Sequence, residues 1–265
     1  MDIAGYLASI FIGIALGIIG GGGSILTVPV LVYLFSIDAV LATAYSLFVV
    51  GATSAVGSFS YFTKGLVNIR KAIVFGIPSI IAVYLTRAFI VPAIPNEIFS
   101  IGNFTLTKSI LLMLLFAILM IFTSYSMIKK EKDVTDEPPQ KQQFNYLLIL
   151  IEGTLVGILT GLVGAGGGFL IIPALVLLSK LPMKEAVGTS LVIIAAKSLI
   201  GFLGESGETA IDWLFLLKVS AFAIIGVFMG MSLSKRTNAE KLKPAFGWFV
   251  LVMGVYIIVK ETILK

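Results

Sequence analysis

Gly17-Ile-Ile-Gly-Gly-Gly-Gly-Ser-Ile-Leu-Thr-Val-Pro29 returns later in the chain as Gly161-Leu-Val-Gly-Ala-Gly-Gly-Gly-Phe-Leu-Ile-Ile-Pro173. A constant offset of 144, from Gly17 to Gly161, maps one run onto the other without a gap. Each run is a glycine cluster inside long apolar sequence, closed by a proline. The same offset pairs Gly13 with Gly157, Leu31 with Leu175, Ala42 with Ala186, Ser46 with Ser190, Ser54 with Ser198 and Gly57 with Gly201. An ungapped register of this length marks an internal repeat.

Composition sets the environment. The chain has 265 residues, 58% hydrophobic and 12% charged, where a soluble domain carries about 25% charge. Mean hydropathy is +1.07. Apolar segments run over roughly 3–19 and 25–36, 39–62, 72–91, 106–128, 144–163 and 169–179, 185–204, 213–234 and 244–263. Several reach the ~20 residues that cross a bilayer, so the pattern is that of a polytopic membrane protein. The net charge of +5 lies in connecting segments and is no nucleic-acid footprint. There is no cysteine and no histidine, which removes thiol chemistry, the commonest metal ligand and the commonest general base. No cofactor or metal is expected, and an enzyme is disfavoured because no intramembrane Asp pair exists either. Met1-Asp2-Ile-Ala lacks the basic start of a cleaved signal, so the first helix is expected to be retained.

Residues 129–143, Lys-Lys-Glu-Lys-Asp-Val-Thr-Asp-Glu-Pro-Pro-Gln-Lys-Gln-Gln, read as a solvated cytoplasmic linker between repeats at 1–128 and 144–265. Topology follows from Lys and Arg. Thirteen of nineteen fall at Lys64, Arg70 and Lys71, in the linker, at Lys180 and Lys184, and over Lys235–Lys243. If each glycine run crossed the membrane once, the second half would place basic loops outside and the acidic 205–212 segment inside, against the positive-inside rule. If each run turns back at mid-membrane, every basic cluster is cytoplasmic. The expected fold is therefore all-α and integral to the membrane. It has two inverted-topology repeats, each a Gly-tipped re-entrant hairpin plus three transmembrane helices.

Irregular backbone at membrane depth survives where protein buries it or where it lines a watery cavity. Helices leaving the tips near Ser24 and Gly168 would aim free N–H groups at the bilayer middle, a natural place for an anion. The candidate substrate-binding residues are Gly20, Gly21, Gly22, Gly23 and Ser24, with Gly164, Gly166, Gly167 and Gly168 in the second repeat. Hydroxyls at Tyr45, Ser46, Thr189 and Ser190 join them, although membrane hydroxyls commonly bond their own backbone. Lys197 lies near the middle of its helix, where charge is costly and marks function; an anion or the carboxylate of Glu152 would answer it. Glu152 and Arg87 are candidates for coupling, Arg87 being close enough to a helix end to snorkel.

With these residues in view, the chain resembles the sulfite exporter TauE/SafE family. The resemblance rests on Gly17–Pro29, on Gly161–Pro173, on Gly188-Thr-Ser-Leu191 and on Ser198-Leu-Ile-Gly-Phe-Leu-Gly204. It implies a multi-pass bacterial inner-membrane transporter exporting sulfite or a small organosulfonate, with a neutral amide often found where Lys197 stands here. The expected function is secondary transport of a small sulfur-containing anion by alternating access. An anion channel or uniporter on the same scaffold is the alternative. Expected partners are the anion and membrane lipid, with homodimer formation, the identity of the anion and the driving ion left open.

Overall fold

A computed structural model of the chain describes residues 2–101, 104–128, 146–177, 181–205, 211–234 and 239–263. The 129–143 linker lies outside these, as do Lys180, Lys235 and Arg236. Ten helices are described: α1 Asp2–Ile19, α2 Thr27–Tyr33, α3 Ala39–Thr63, α4 Ile69–Ala93, α5 Lys108–Ile128, α6 Tyr146–Val163, α7 Gly168–Leu177, α8 Met183–Leu203, α9 Trp213–Ser234 and α10 Ala239–Thr262. Six of them, α3–α5 and α8–α10, are long and apolar enough to cross a membrane. Their outer faces carry large bare apolar side chains, among them Phe59, Phe89, Phe122 and Phe228, as lipid contact requires. The protein is an all-α multi-pass membrane protein.

Helix starts repeat at the offset of the glycine runs. Ala39 and Met183 open α3 and α8, each after a residue held at nearly the same dihedrals: Asp38 at φ −52°, ψ 142° and Pro182 at φ −53°, ψ 142°. Asn68 and Asp212 precede α4 and α9, and each carboxamide or carboxylate oxygen accepts an N–H three residues on, from Lys71 and Phe215. These are side-chain caps that satisfy orphan donors of the first turn.

One departure from an all-helical chain is a short antiparallel hairpin of β1 (Glu97–Ile101) and β2 (Phe104–Thr107), which joins α4 to α5. A second concerns the first tip. The expected helix from Ser24 starts only at Thr27, because Gly21–Leu26 forms a tighter 3-10 turn.

Small residues set the packing. A side chain at Gly13 would strike the Ala223 carbonyl and Val227 backbone of α9; one at Gly157 would strike Ser79 and Ala82 of α4. Gly17 meets Val227 and Met231, and Gly161 meets Val83 and Thr86. Thus α1 lies alongside α9, running parallel to it, and α6 lies alongside α4 in the same way. Between the halves, α3 and α8 cross antiparallel: Gly51 faces Leu199, Gly57 faces Leu191 and Gly201 faces Leu47. These two helices are the most enclosed of the six spans. Close approach of this kind is how membrane helices gain dispersion contacts without a hydrophobic drive between them.

Candidate functional site

Both glycine runs reverse the chain. Gly23 packs back on the Ala15–Leu16 backbone, and Gly167 packs back on Thr160 at the equivalent place. The reversal brings the far end of the first segment home, with the Tyr6 and Phe35 rings 5.3 Å apart edge to face. In the second segment Ile149 shares a cluster with Ile171 and Leu175. Gly20 at φ +78° and Gly164 at φ +74° make the turns, a conformation that suits glycine. Gly20 then abuts Val187 of α8, and Gly164 abuts Thr43 of α3. The two tips meet each other: Gly21 and Gly168 are in backbone contact, and a Cβ on either would collide with the other.

Lys197 reaches this junction. It is wholly buried, and its Nζ donates to Thr160 Oγ1 at 3.0 Å. A Cβ on Gly167 would stand 2.7 Å from that Nζ. Thr160 in turn donates to the Val156 carbonyl at 2.7 Å. Among the described residues Lys197 forms no ion pair, and Glu152 does not answer it. Around the crossing of α3 and α8, Ser46, Ser54 and Ser198 are buried with hydroxyls that have no partner among the described residues. A buried ammonium beside turned glycine backbone and spare hydroxyls can hold an anion, supplying charge, N–H and O–H together.

This geometry can be set against known proteins. A family model described as Sulfite exporter TauE/SafE matches residues 6–257. The chain belongs to the TauE/SafE family. Its relatives include a probable membrane transporter protein of Xylella fastidiosa strain 9a5c, 30% identical over 93% of this chain and 91% of that protein. Another is the probable membrane transporter protein YdhB of Bacillus subtilis, 25% identical over 95% and 98%. A third, MJ0441 of Methanocaldococcus jannaschii, is 26% identical over 94% of each. No solved structure matches the chain. The protein is a membrane transporter of the TauE/SafE family.

In this TauE/SafE protein the remaining candidate residues have defined places. Gly20–Ser24, Gly164 and Gly166–Gly168 lie at the tips, all buried, with Ser24 Oγ donating to the Gly21 carbonyl. Ser190 donates to the Val187 carbonyl at 2.8 Å, whereas its counterpart Ser46 is free among the described residues. Tyr45 and Thr189 do something else. Tyr45 Oη accepts the Asp212 N–H at 2.7 Å, and Thr189 Oγ1 accepts the Asn68 N–H at 2.9 Å. Both pairs are equivalent at the 144 offset, so each half uses a hydroxyl to hold the helix cap of the other. Glu152 is partly buried, with Oε2 unpartnered among the described residues. Arg87 does not snorkel. It is 1% exposed and Nη1 donates to Glu205 Oε2 at 3.1 Å, because that carboxylate offers a partner inside the protein. In sequence Thr160 is one of three polar side chains in this leg, with Glu152 and Thr154, and only its place seven residues before Gly167 sets it apart.

Proposed function

We propose that this TauE/SafE protein is a secondary transporter that exports a small sulfur-containing oxyanion, such as sulfite or an organosulfonate, across the inner membrane by alternating access. The observation that carries the reading is Lys197: a buried ammonium, without a carboxylate partner among the described residues, against the turned glycines of the second tip. A cation held at membrane depth calls for an anion. Those amides of Gly20–Ser24 and Gly164–Gly168 that the turns leave free complete the cradle, with Ser46, Ser54 and Ser198 as hydroxyl donors, Thr160 holding the ammonium, and Tyr45 and Thr189 as braces between the halves.

The halves 1–128 and 144–265 form inverted repeats with re-entrant glycine hairpins. The reciprocal packing of α1 on α9 and α6 on α4, the antiparallel crossing of α3 and α8, and the Tyr6–Phe35 contact that closes the first segment on itself support this arrangement. Rocking of one half against the other opens the tip contact to each face in turn. The contact of Gly21 with Gly168 favours a carrier over a channel, since a channel needs a continuous path between the tips.

Counterflow in proteoliposomes with sulfite, sulfate, thiosulfate, sulfoacetate and taurine tests the reading. Saturable exchange of at least one sulfur anion, lost in Lys197→Ala, is the expected result. Full transport by Lys197→Ala would sink the assignment of the lysine, and no exchange of any of the five would sink the function.

A further inference from the structure

Arg87 is the other buried cation in the spans. It lies in a π-helical stretch of α4, Thr86–Ile90, packed against Gly204 at the end of α8. Its side chain has no solvent exposure, yet only Nη1 is used, on Glu205; Nε and Nη2 have no partner among the described residues. A guanidinium presents its donors as a planar fork that suits an oxyanion bidentately. Leaving part of that fork empty in a dry site is costly unless another acceptor visits it.

Position supports a visitor. Glu205 follows Lys197 by eight residues, about 12 Å at the helical rise. Thr86, next to Arg87, touches Gly161 in the leg of the second hairpin, three residues short of its turn. The pair therefore stands one step from the tip junction toward the face that carries residues 205–212. The pseudo-equivalent positions at the opposite face are Met231 and Tyr61, which pack in an apolar cluster with Leu16, Leu191 and Val227. One of the two equivalent places holds an ion pair and the other an apolar cluster.

We propose that Arg87 is a second binding station for the transported oxyanion, with Glu205 as the resident carboxylate that the anion displaces. This rests on the reading of the protein as an anion transporter. The anion passes from Lys197 to Arg87; Glu205 re-forms its bond when the anion leaves and closes that face. Among the described residues no buried cation stands at the Met231–Tyr61 face, so affinity differs between the two sides.

The test uses the full-length protein in proteoliposomes with labelled sulfite. Glu205→Gln frees the arginine from its competitor and is expected to lower the half-saturation concentration about ten-fold. Arg87→Lys keeps the charge and the ion pair but loses the fork, and is expected to raise half-saturation about ten-fold while leaving the unfolding temperature near wild type. The exchanged pair Arg87→Glu with Glu205→Arg is expected to restore stability but not half-saturation. If Glu205→Gln does not fold, Arg87→Lys decides. Half-saturation unchanged in the folded variants, or restored by the exchanged pair, overturns the proposal and leaves a structural ion pair. Wild-type protein that exchanges none of the five sulfur compounds overturns the transport reading itself.

Discussion

At the scale of single residues, the chemistry concentrates on Lys197 and Thr160. A buried charge that loses its ligand role costs a few kcal/mol, so Lys197→Gln is expected to lower transport about 100-fold or more in counterflow. Thr160→Val removes the only hydrogen-bond partner that Nζ has among the described residues, and a loss of about ten-fold is expected, with Thr160→Ser near wild type. Lys197 was legible in the sequence because charge deep in an apolar helix is rare. Thr160 was not, because a helix hydroxyl bonds its own turn, and this one does so as well as accepting from the lysine. Arg87 lies close enough to a helix end to snorkel, yet it turns inward, since sequence distance from a helix end says nothing about a carboxylate 118 positions away. Tyr45 and Thr189 stood beside the serines in sequence, yet successive helix positions face different neighbours, and these two meet loop amides instead.

Among the elements, the glycine tips tolerate substitution poorly. Gly168→Ala would force a Cβ into the Gly21 backbone, and Gly164→Ala adds a positive φ to a clash with Thr43. Each is expected to lower stability by about 2–4 kcal/mol in denaturant titration of the detergent-solubilised protein. Gly65→Ala is the control: φ is +68° but nothing lies within 4 Å of the new Cβ, so only about 1 kcal/mol is expected. Similar losses for Gly65→Ala and Gly168→Ala would mean that the tips are not in contact. Hydropathy located all ten helices to within a few residues because bilayer length is a strong constraint. It missed the hairpin of β1 and β2, where Pro92, Pro95 and a short alternating stretch give no periodicity longer than a few residues. It also missed the 3-10 turn at Gly21–Leu26, which depends on what the second tip presses against.

For the whole molecule, the packing contacts recur at the 144 offset and the charges do not. Thr160 and Lys197 face Leu16 and Thr53 at the equivalent positions, and Arg87 and Glu205 face Met231 and Tyr61. The repeat and these mismatches can be read from sequence, since glycine spacing records backbone contacts directly; the pairing of Lys197 with Thr160 and of Arg87 with Glu205 shows only in the fold. Because the chain contains no cysteine, topology can be measured on single-cysteine variants without removing any background. Ser36→Cys and Met183→Cys, one after each hairpin, are expected to react with an impermeant maleimide from opposite sides of the membrane. Reaction of both from one side would refute the inverted arrangement.

The solitary ammonium of Lys197 has an electrical consequence. With Lys197 protonated, the tip junction is neutral when it holds a monovalent anion, whereas the empty junction carries +1 and the junction with a divalent anion carries −1. A membrane potential acts on a moving elementary charge with about 2.3 kcal/mol per 100 mV. Reorientation of the empty carrier, and of the carrier loaded with a divalent anion, is therefore voltage-sensitive with opposite sign, while the step with a monovalent anion is voltage-silent. Under a potassium-diffusion potential, net uptake of sulfoacetate, a dianion, and of taurine, a zwitterion without net charge, should part company, which makes the current across the membrane a record of what the lysine is holding.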